Sequence, residues 1–179
     1  MMAPDAYTKS SIPLALASMN TLLLPPKHHP REDFDMDHSV TINDQVLIRV
    51  TKTAGMGDAY SPTPEGIHQD HGEISGVILV GLRNATSGGE SRLWNLSVPT
   101  GNYDEGQFES MKEHLIVEHR LNEPWESILF NDWDLKHEAR SFSGRGSGSS
   151  MRDVIVNFLR KPLKDGTDVK LRQEKFVPV

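Results

Sequence analysis

Apolar positions along the chain fall into short runs set apart by polar, glycine-rich punctuation. The segment ISGVILVGLR, residues 74–83, is apolar at both parities and reads as a strand buried on both faces. VLIRVTK (46–52) reads as a strand by its β-branched content, and SRLWNLSV (91–98) as another. Further strands are expected over 125–131, around 135–142, and over MRDVIVNFLRK (151–161). A short strand or strand end is expected over 66–70. Residues 53–66 form a loop, and NATSGGE is a turn in which Asn84, Gly88 and Gly89 supply the backbone freedom. Phe108, Met111, Leu115 and Ile116 recur at helical spacing, which predicts a helix over 104–120. Many short strands with one substantial helix predict a mainly β fold, closed or double-sheeted. No internal repeat is visible. Residues 1–45 form a pattern-poor lead-in, 46–161 the core, and 162–179 a charged tail expected to wrap the surface.

At 179 residues the chain suits one domain that buries a core without staples. Cysteine is absent, which removes disulfides, thiolate metal sites and cysteine nucleophiles and leaves only nitrogen and oxygen ligands for any metal. With 19 basic and 25 acidic residues the formal charge is −6, not the footprint of a nucleic-acid binder. No apolar run approaches the ~20 residues needed to span a bilayer. The stretch 12–24 is apolar but is interrupted by Asn20 and Thr21. Lys9 ahead of it is offset by Asp5, a poor secretory signal. The expectation is a soluble cytoplasmic protein handling a small molecule, so the sequons at Asn84 and Asn95 go unused. An acidic barrel with apolar strands is also compatible with a homodimer.

The chemistry concentrates in EGIHQDHGE, just before the most apolar run. In a strand, residues i and i+2 share a face, so His68 and Asp70 can converge on one ion. An H-x-D triplet alone is a weak signal. His137, in NDWDLKHEARSF after the strand SILF, is the natural third ligand. Two histidines and one carboxylate form the facial triad of non-haem Fe(II) oxygenases. Arg152 shares strand parity with Val154, Val156 and Phe158, and a guanidinium in a core-facing row is costly unless it meets an anion. The competing reading makes His68 and His137 satisfied half-buried histidines and Asp70 a turn acid; it fits a lone histidine better than this ordered set. Other features carry less. His28-His29 beside prolines is a solvated loop, and GRGSGS lacks the Gly-Lys-Ser/Thr ending of a phosphate loop. Asp132-Trp133-Asp134 reads as a turn rather than a calcium site.

The ordered set IHQDHGE, VILVGLRNATSGGESRL, ESILFNDWDLKHEA and RDVIVNFL resembles the 2-oxoglutarate/Fe(II) dioxygenase family that includes bacterial L-isoleucine dioxygenases. The resemblance implies a double-stranded β-helix (jelly-roll) core with one or two flanking helices. It implies His68, Asp70 and His137 as iron ligands and Arg152 as the clamp on the distal carboxylate of 2-oxoglutarate. Fe(II), 2-oxoglutarate and O2 follow as cofactor, cosubstrate and oxidant. The implied reaction hydroxylates an unactivated carbon of a free L-amino acid or similar small amino-bearing molecule, with release of succinate and CO2. Glu73 and Arg83 are candidate substrate contacts, and His71 lies beside the triad. Trp94, Trp133 and Phe142 are candidate pocket walls, with ordinary core packing as the plainer account of all three. Two other classes compete: a non-catalytic β-barrel binding protein, and a cupin-type metalloenzyme that does not use 2-oxoglutarate. Arg152 argues against the latter, and turnover to succinate separates the former.

Overall fold

The computed structural model describes residues 33, 35, 42–52, 62–70 and 72–166. Its strands are β1 (Ile42–Lys52), β2 (Ile74–Arg83), β3 (Ser87–Gly88), β4 (Glu90–Asn95) and β5 (Leu115–Arg120). They continue with β6 (Ser127–Asn131), β7 (Leu135–Ala139), β8 (Phe142–Ser143) and β9 (Ser150–Arg160). Among the described residues there is one α-helix, α1 (Glu105–Met111), between β4 and β5. A four-stranded sheet runs β1-β9-β2-β6, a three-stranded sheet runs β5-β4-β7, and β3-β8 form a small ribbon. All of these pairings are antiparallel. Residues from the inner faces of the two larger sheets line one shared cavity, the arrangement of a jelly roll.

The register of β9 decides what the larger sheet presents to that cavity. Val154 lies opposite Ile48 on one side and Leu79 on the other, and Val156 opposite Val46 and Val77. Arg152, Val154, Val156 and Phe158 all face the cavity, as the period-2 pattern requires. Asp153, one step out of phase, turns away and takes a two-pronged ion pair from Arg49. Leu79, Leu121 and Val154 form a buried cluster at the Arg152 end. Removing each from water contributes about 1.5–3 kcal/mol.

The helix is shorter than its periodicity predicts. Asp104 caps α1 in a reciprocal capping box with Gln107, but the helix ends at Met111, passes through a 3-10 turn (Lys112–His114), and gives way to β5. Leu115 and Ile116, expected on the helix, lie in β5 instead: Leu115 sits opposite Trp94 and Val117 opposite Leu93, with Ile116 at the irregularity between them. LIVEHR is apolar enough for either period, and the open edge of β4 decides between them. What remains of α1 packs Phe108 edge-on against Trp94, with ring centroids 5.5 Å apart. This covers the face of the three-stranded sheet turned away from the cavity, together with Ile67 and Val98. Among the described residues no helix is long and apolar enough to cross a membrane.

Candidate active site

Residues 66–70 do not make a full strand but one residue pair of a ladder. His68 N–H donates to His137 O at 3.0 Å and His137 N–H to His68 O at 2.8 Å, an isolated antiparallel bridge. Directly opposed residues project from the same face with Cβ atoms about 5 Å apart, so this single pairing brings together two imidazoles 69 positions apart in sequence. The neighbouring bridge Ile67–Gly101 anchors the segment from the other side. Gly66 makes that approach with φ +72, and a Cβ there would collide with the Gly101 carbonyl.

Asp70, two residues on, completes the cluster. His68 Nε2 lies 3.4 Å from Asp70 Oδ1 and His137 Nε2 lies 3.3 Å from Asp70 Oδ2. The imidazole centroids are 4.3 Å apart. Ligand atoms from the three residues all fall within 4.8 Å of one another. Both rings turn Nε2 toward Asp70. His68 Nδ1 faces the Gly66 carbonyl at 2.8 Å, which fixes the proton on Nδ1 and leaves Nε2 as a lone pair. Phe130 packs on His137 with centroids 5.0 Å apart.

The two histidines are pushed in opposite directions. Burial holds His137 down to about 4, against a smaller upward pull from Asp70, so it is neutral near pH 7. Burial also pulls on His68, but the hydrogen bond to Asp70 and the Gly66 carbonyl outweigh it and leave His68 raised. Two nitrogens and one carboxylate, all converging and without sulfur, form the donor set of a borderline first-row divalent ion such as Fe(II).

His68, Asp70, His137 and Arg152 line one cavity of about 270 Å³. Arg152 is 3% exposed, and its Nη2 has no hydrogen-bond partner; no ion pair to Arg152 occurs among the described residues. Burial lowers its guanidinium to about 10, Arg120 acting in the same direction and Glu90 opposing. Arg92, the other buried arginine of the described residues, makes the contrast: it is met by Glu118 and Glu138 and lies 3.8 Å above the Phe108 ring. The Glu90–Arg120 pair near Arg152 is three positions along β4 from Leu93, which is itself opposite His137. That is about 10 Å of strand.

The other residues singled out in the sequence lie elsewhere. Glu73 is buried at the start of β2, where its backbone bonds Leu159 and Asp132, and it does not line the cavity. Burial raises its carboxyl, with Lys161 opposing. Arg83 sits at the exposed end of β2, 3.4 Å from Ser149 Oγ, also outside the cavity. Trp94, Trp133 and Phe142 are buried but do not line it, in line with the plainer packing account. His28, His29 and His71 fall outside the described residues. Sequence reasoning took Asp132 for a turn residue, yet its side chain is fully buried against the triad. Oδ2 accepts the Gly72 N–H at 3.0 Å and Oδ1 lies 3.8 Å from His137 Nδ1. The available signal was an acid directly after the strand SILFN and five residues before His137.

Comparison with known proteins bears on the same residues. A family model described as 2OG-Fe dioxygenase matches residues 31–158. No curated protein gives a significant match. Among solved structures the chain is similar to a selenomethionine-labelled Fe(II)/(alpha)ketoglutarate-dependent dioxygenase, TqaL. The TM-score is 0.69 at 18% identity, over 86% of this chain and 53% of that one. It is also similar to IDO from Bacillus thuringiensis, with TM-score 0.53 at 17% identity, over 74% of this chain and 54% of that one. At such identities the likeness establishes the fold, and the chain spans about half the length of both.

Proposed function

The chain belongs to the 2OG-Fe dioxygenase family, whose chemistry uses Fe(II), 2-oxoglutarate and O2, and we propose that it hydroxylates a small amino-bearing molecule such as a free L-amino acid. His68, Asp70 and His137 would hold the iron, and Arg152 would take the distal carboxylate of 2-oxoglutarate. When bound, the iron would activate O2, the oxidant, with two electrons drawn from 2-oxoglutarate and two from the substrate. Substrate C–H, 2-oxoglutarate and O2 give the alcohol, succinate and CO2. The observation that carries the reading is the shared cavity, with a convergent nitrogen/oxygen triad on one wall and a buried, unneutralised arginine in the other.

The chain's own residues do the rest. Gly66 O keeps Nδ1 of His68 protonated so that Nε2 stays available. Burial keeps His137 neutral, the form that coordinates. Arg152 offers a planar fork that matches a carboxylate through two hydrogen bonds, which a lysine does not. Val154, Val156 and Phe158 exclude water between the two ends, which strengthens the ionic contact and shelters the reacting carbon. A cavity of about 270 Å³ favours small acids over polymer segments. The catalytic unit is residues 46–161, with 1–45 as lead-in and 162–179 as tail, and its first strand begins four residues earlier, at Ile42. The net charge of −6 and the cysteine-free composition suit a cytoplasmic enzyme of small molecules rather than of nucleic acid.

The test is turnover. Iron-loaded protein supplied with 2-oxoglutarate, O2 and a panel of free L-amino acids is expected to form succinate in step with one hydroxylated amino acid. Succinate that no panel member stimulates would remove the amino-acid assignment. No 2-oxoglutarate consumption by folded, iron-loaded protein under any condition would remove the enzyme assignment.

A further inference from the structure

We propose that Asp132 is a positioning residue: its buried carboxylate orients His137 from behind and ties the Asp70 segment to it, so that the ligand set is held as one unit. The proposal rests on the metal reading above and adds a part that the ligand pattern does not contain. Asp132 follows β6 directly, at the foot of the larger sheet, and its side chain is fully buried. Its Oδ1 is within 3.4 Å of the Asp70 N–H and its Oδ2 accepts the Gly72 N–H at 3.0 Å. Its own carbonyl accepts the Gln69 side-chain amide at 2.6 Å, and its N–H donates to Glu73 O at 3.2 Å. Gln69, Asp70, Gly72 and Glu73 thus all bond to this one residue. The same Oδ1 lies 3.8 Å from His137 Nδ1, a buried nitrogen that has no hydrogen-bond partner.

That orphan nitrogen points to the role. His137 turns Nε2 toward Asp70, so when Nε2 serves as a ligand the ring proton must sit on Nδ1 and needs an acceptor. His68 already has one in the Gly66 carbonyl. For His137 the corresponding acceptor is Asp132, and closing the gap by roughly 0.8 Å brings it to hydrogen-bond length. Two histidines are therefore supported from opposite sides, one by a backbone carbonyl and one by a buried carboxylate. The carboxylate also grips the backbone N–H of the third ligand. Asp132 does not line the cavity and is not among the convergent ligand residues.

Cobalt(II) is the probe, because it reports on its ligands without turnover. The Co(II)-loaded protein is expected to show two exchangeable, hyperfine-shifted imidazole N–H signals in its proton NMR spectrum, both slow to exchange with water. In Asp132→Asn, which keeps the volume but presents only one acceptor oxygen, the His68 signal should hold its place. The His137 signal should move or vanish by exchange, and Co(II) affinity should fall about 10–100-fold. The His68 signal is the internal control, because a general loosening of the fold would disturb both. An Asp132→Asn protein that keeps both signals and binds Co(II) within twofold of wild type overturns the role of Asp132 alone. The wild type decides the matter even where the variant does not fold, because a His137 N–H exchanging as fast as free imidazole also overturns it. No shifted histidine signal at all in wild type overturns the metal reading, and this proposal with it.

Discussion

His137 and His68 sit 4.3 Å apart around one carboxylate, yet burial dominates the first and hydrogen bonding the second. The consequence is a signed pH dependence for the metal-free protein. A histidine held down to about 4 when folded, against 6.5 unfolded, stabilises the fold above pH 6.5 and loses that contribution as pH falls toward 4. His68 is raised, so its contribution has the opposite sign: present at low pH, lost as pH rises through its folded pKa. The downward shift of His137 is the larger, so the melting temperature should fall between pH 6.5 and 5, before most carboxylates titrate. Calorimetry at several pH values checks this, and a flat or rising melting temperature over that window would contradict it. Arg152 gives a second prediction at this scale. Arg152→Ala should raise the KM for 2-oxoglutarate by roughly 30-fold or more, from the ~2 kcal/mol lower bound for truncating one member of a buried charge pair. Arg152→Lys should recover only part of it, because an ammonium lacks the two-pronged fit. Unchanged KM in both variants would remove Arg152 from the cosubstrate site.

Among the elements, a single-residue bridge carries the most consequence. Gly66→Ala is expected to weaken Co(II) or Fe(II) binding at least tenfold. An L-residue is strained at φ +72, its Cβ meets the Gly101 carbonyl, and the carbonyl holding His68 shifts with it. Metal titration of the folded variant reads this directly, and wild-type affinity would show that the bridge is dispensable. The strands were legible in sequence wherever pattern and length agreed. ISGVILVGLR occupies β2 over its whole predicted span, and the parity of β9 correctly placed Arg152 with Val154, Val156 and Phe158. The helix was half legible, since α1 has its cap and Phe108, but Leu115 satisfies either period and sheet pairing claimed it. The burial of Asp132 was legible only as its place between an apolar strand and His137, because a buried acid in a turn looks much the same in sequence as an exposed one. Glu73 and Arg83 lie outside the cavity, since proximity in sequence does not fix the direction a side chain takes from β2.

At the scale of the molecule, the two larger sheets of the described residues line one cavity that holds both the His68–Asp70–His137 cluster and Arg152. The core at the Arg152 end also anchors the fold, and this separates stability from chemistry. Leu79→Ala, at a side chain with no exposed surface packed on Leu121 and Val154, should cost about 2–5 kcal/mol in urea denaturation. Metal affinity should be little changed in the variant protein that remains folded. A loss of metal binding as large as the loss of stability would mean that the two ends are not independent. The central claim is that one cavity chelates iron and 2-oxoglutarate through His68, Asp70, His137 and Arg152. Anaerobic titration of the purified protein with Fe(II) and 2-oxoglutarate, followed by visible absorption, tests it most directly. The account predicts a charge-transfer band from the chelate in wild type, no band in His137→Ala, and a band in Arg152→Ala only at much higher 2-oxoglutarate. Folded wild-type protein that gives no band at saturating Fe(II) and 2-oxoglutarate would contradict it.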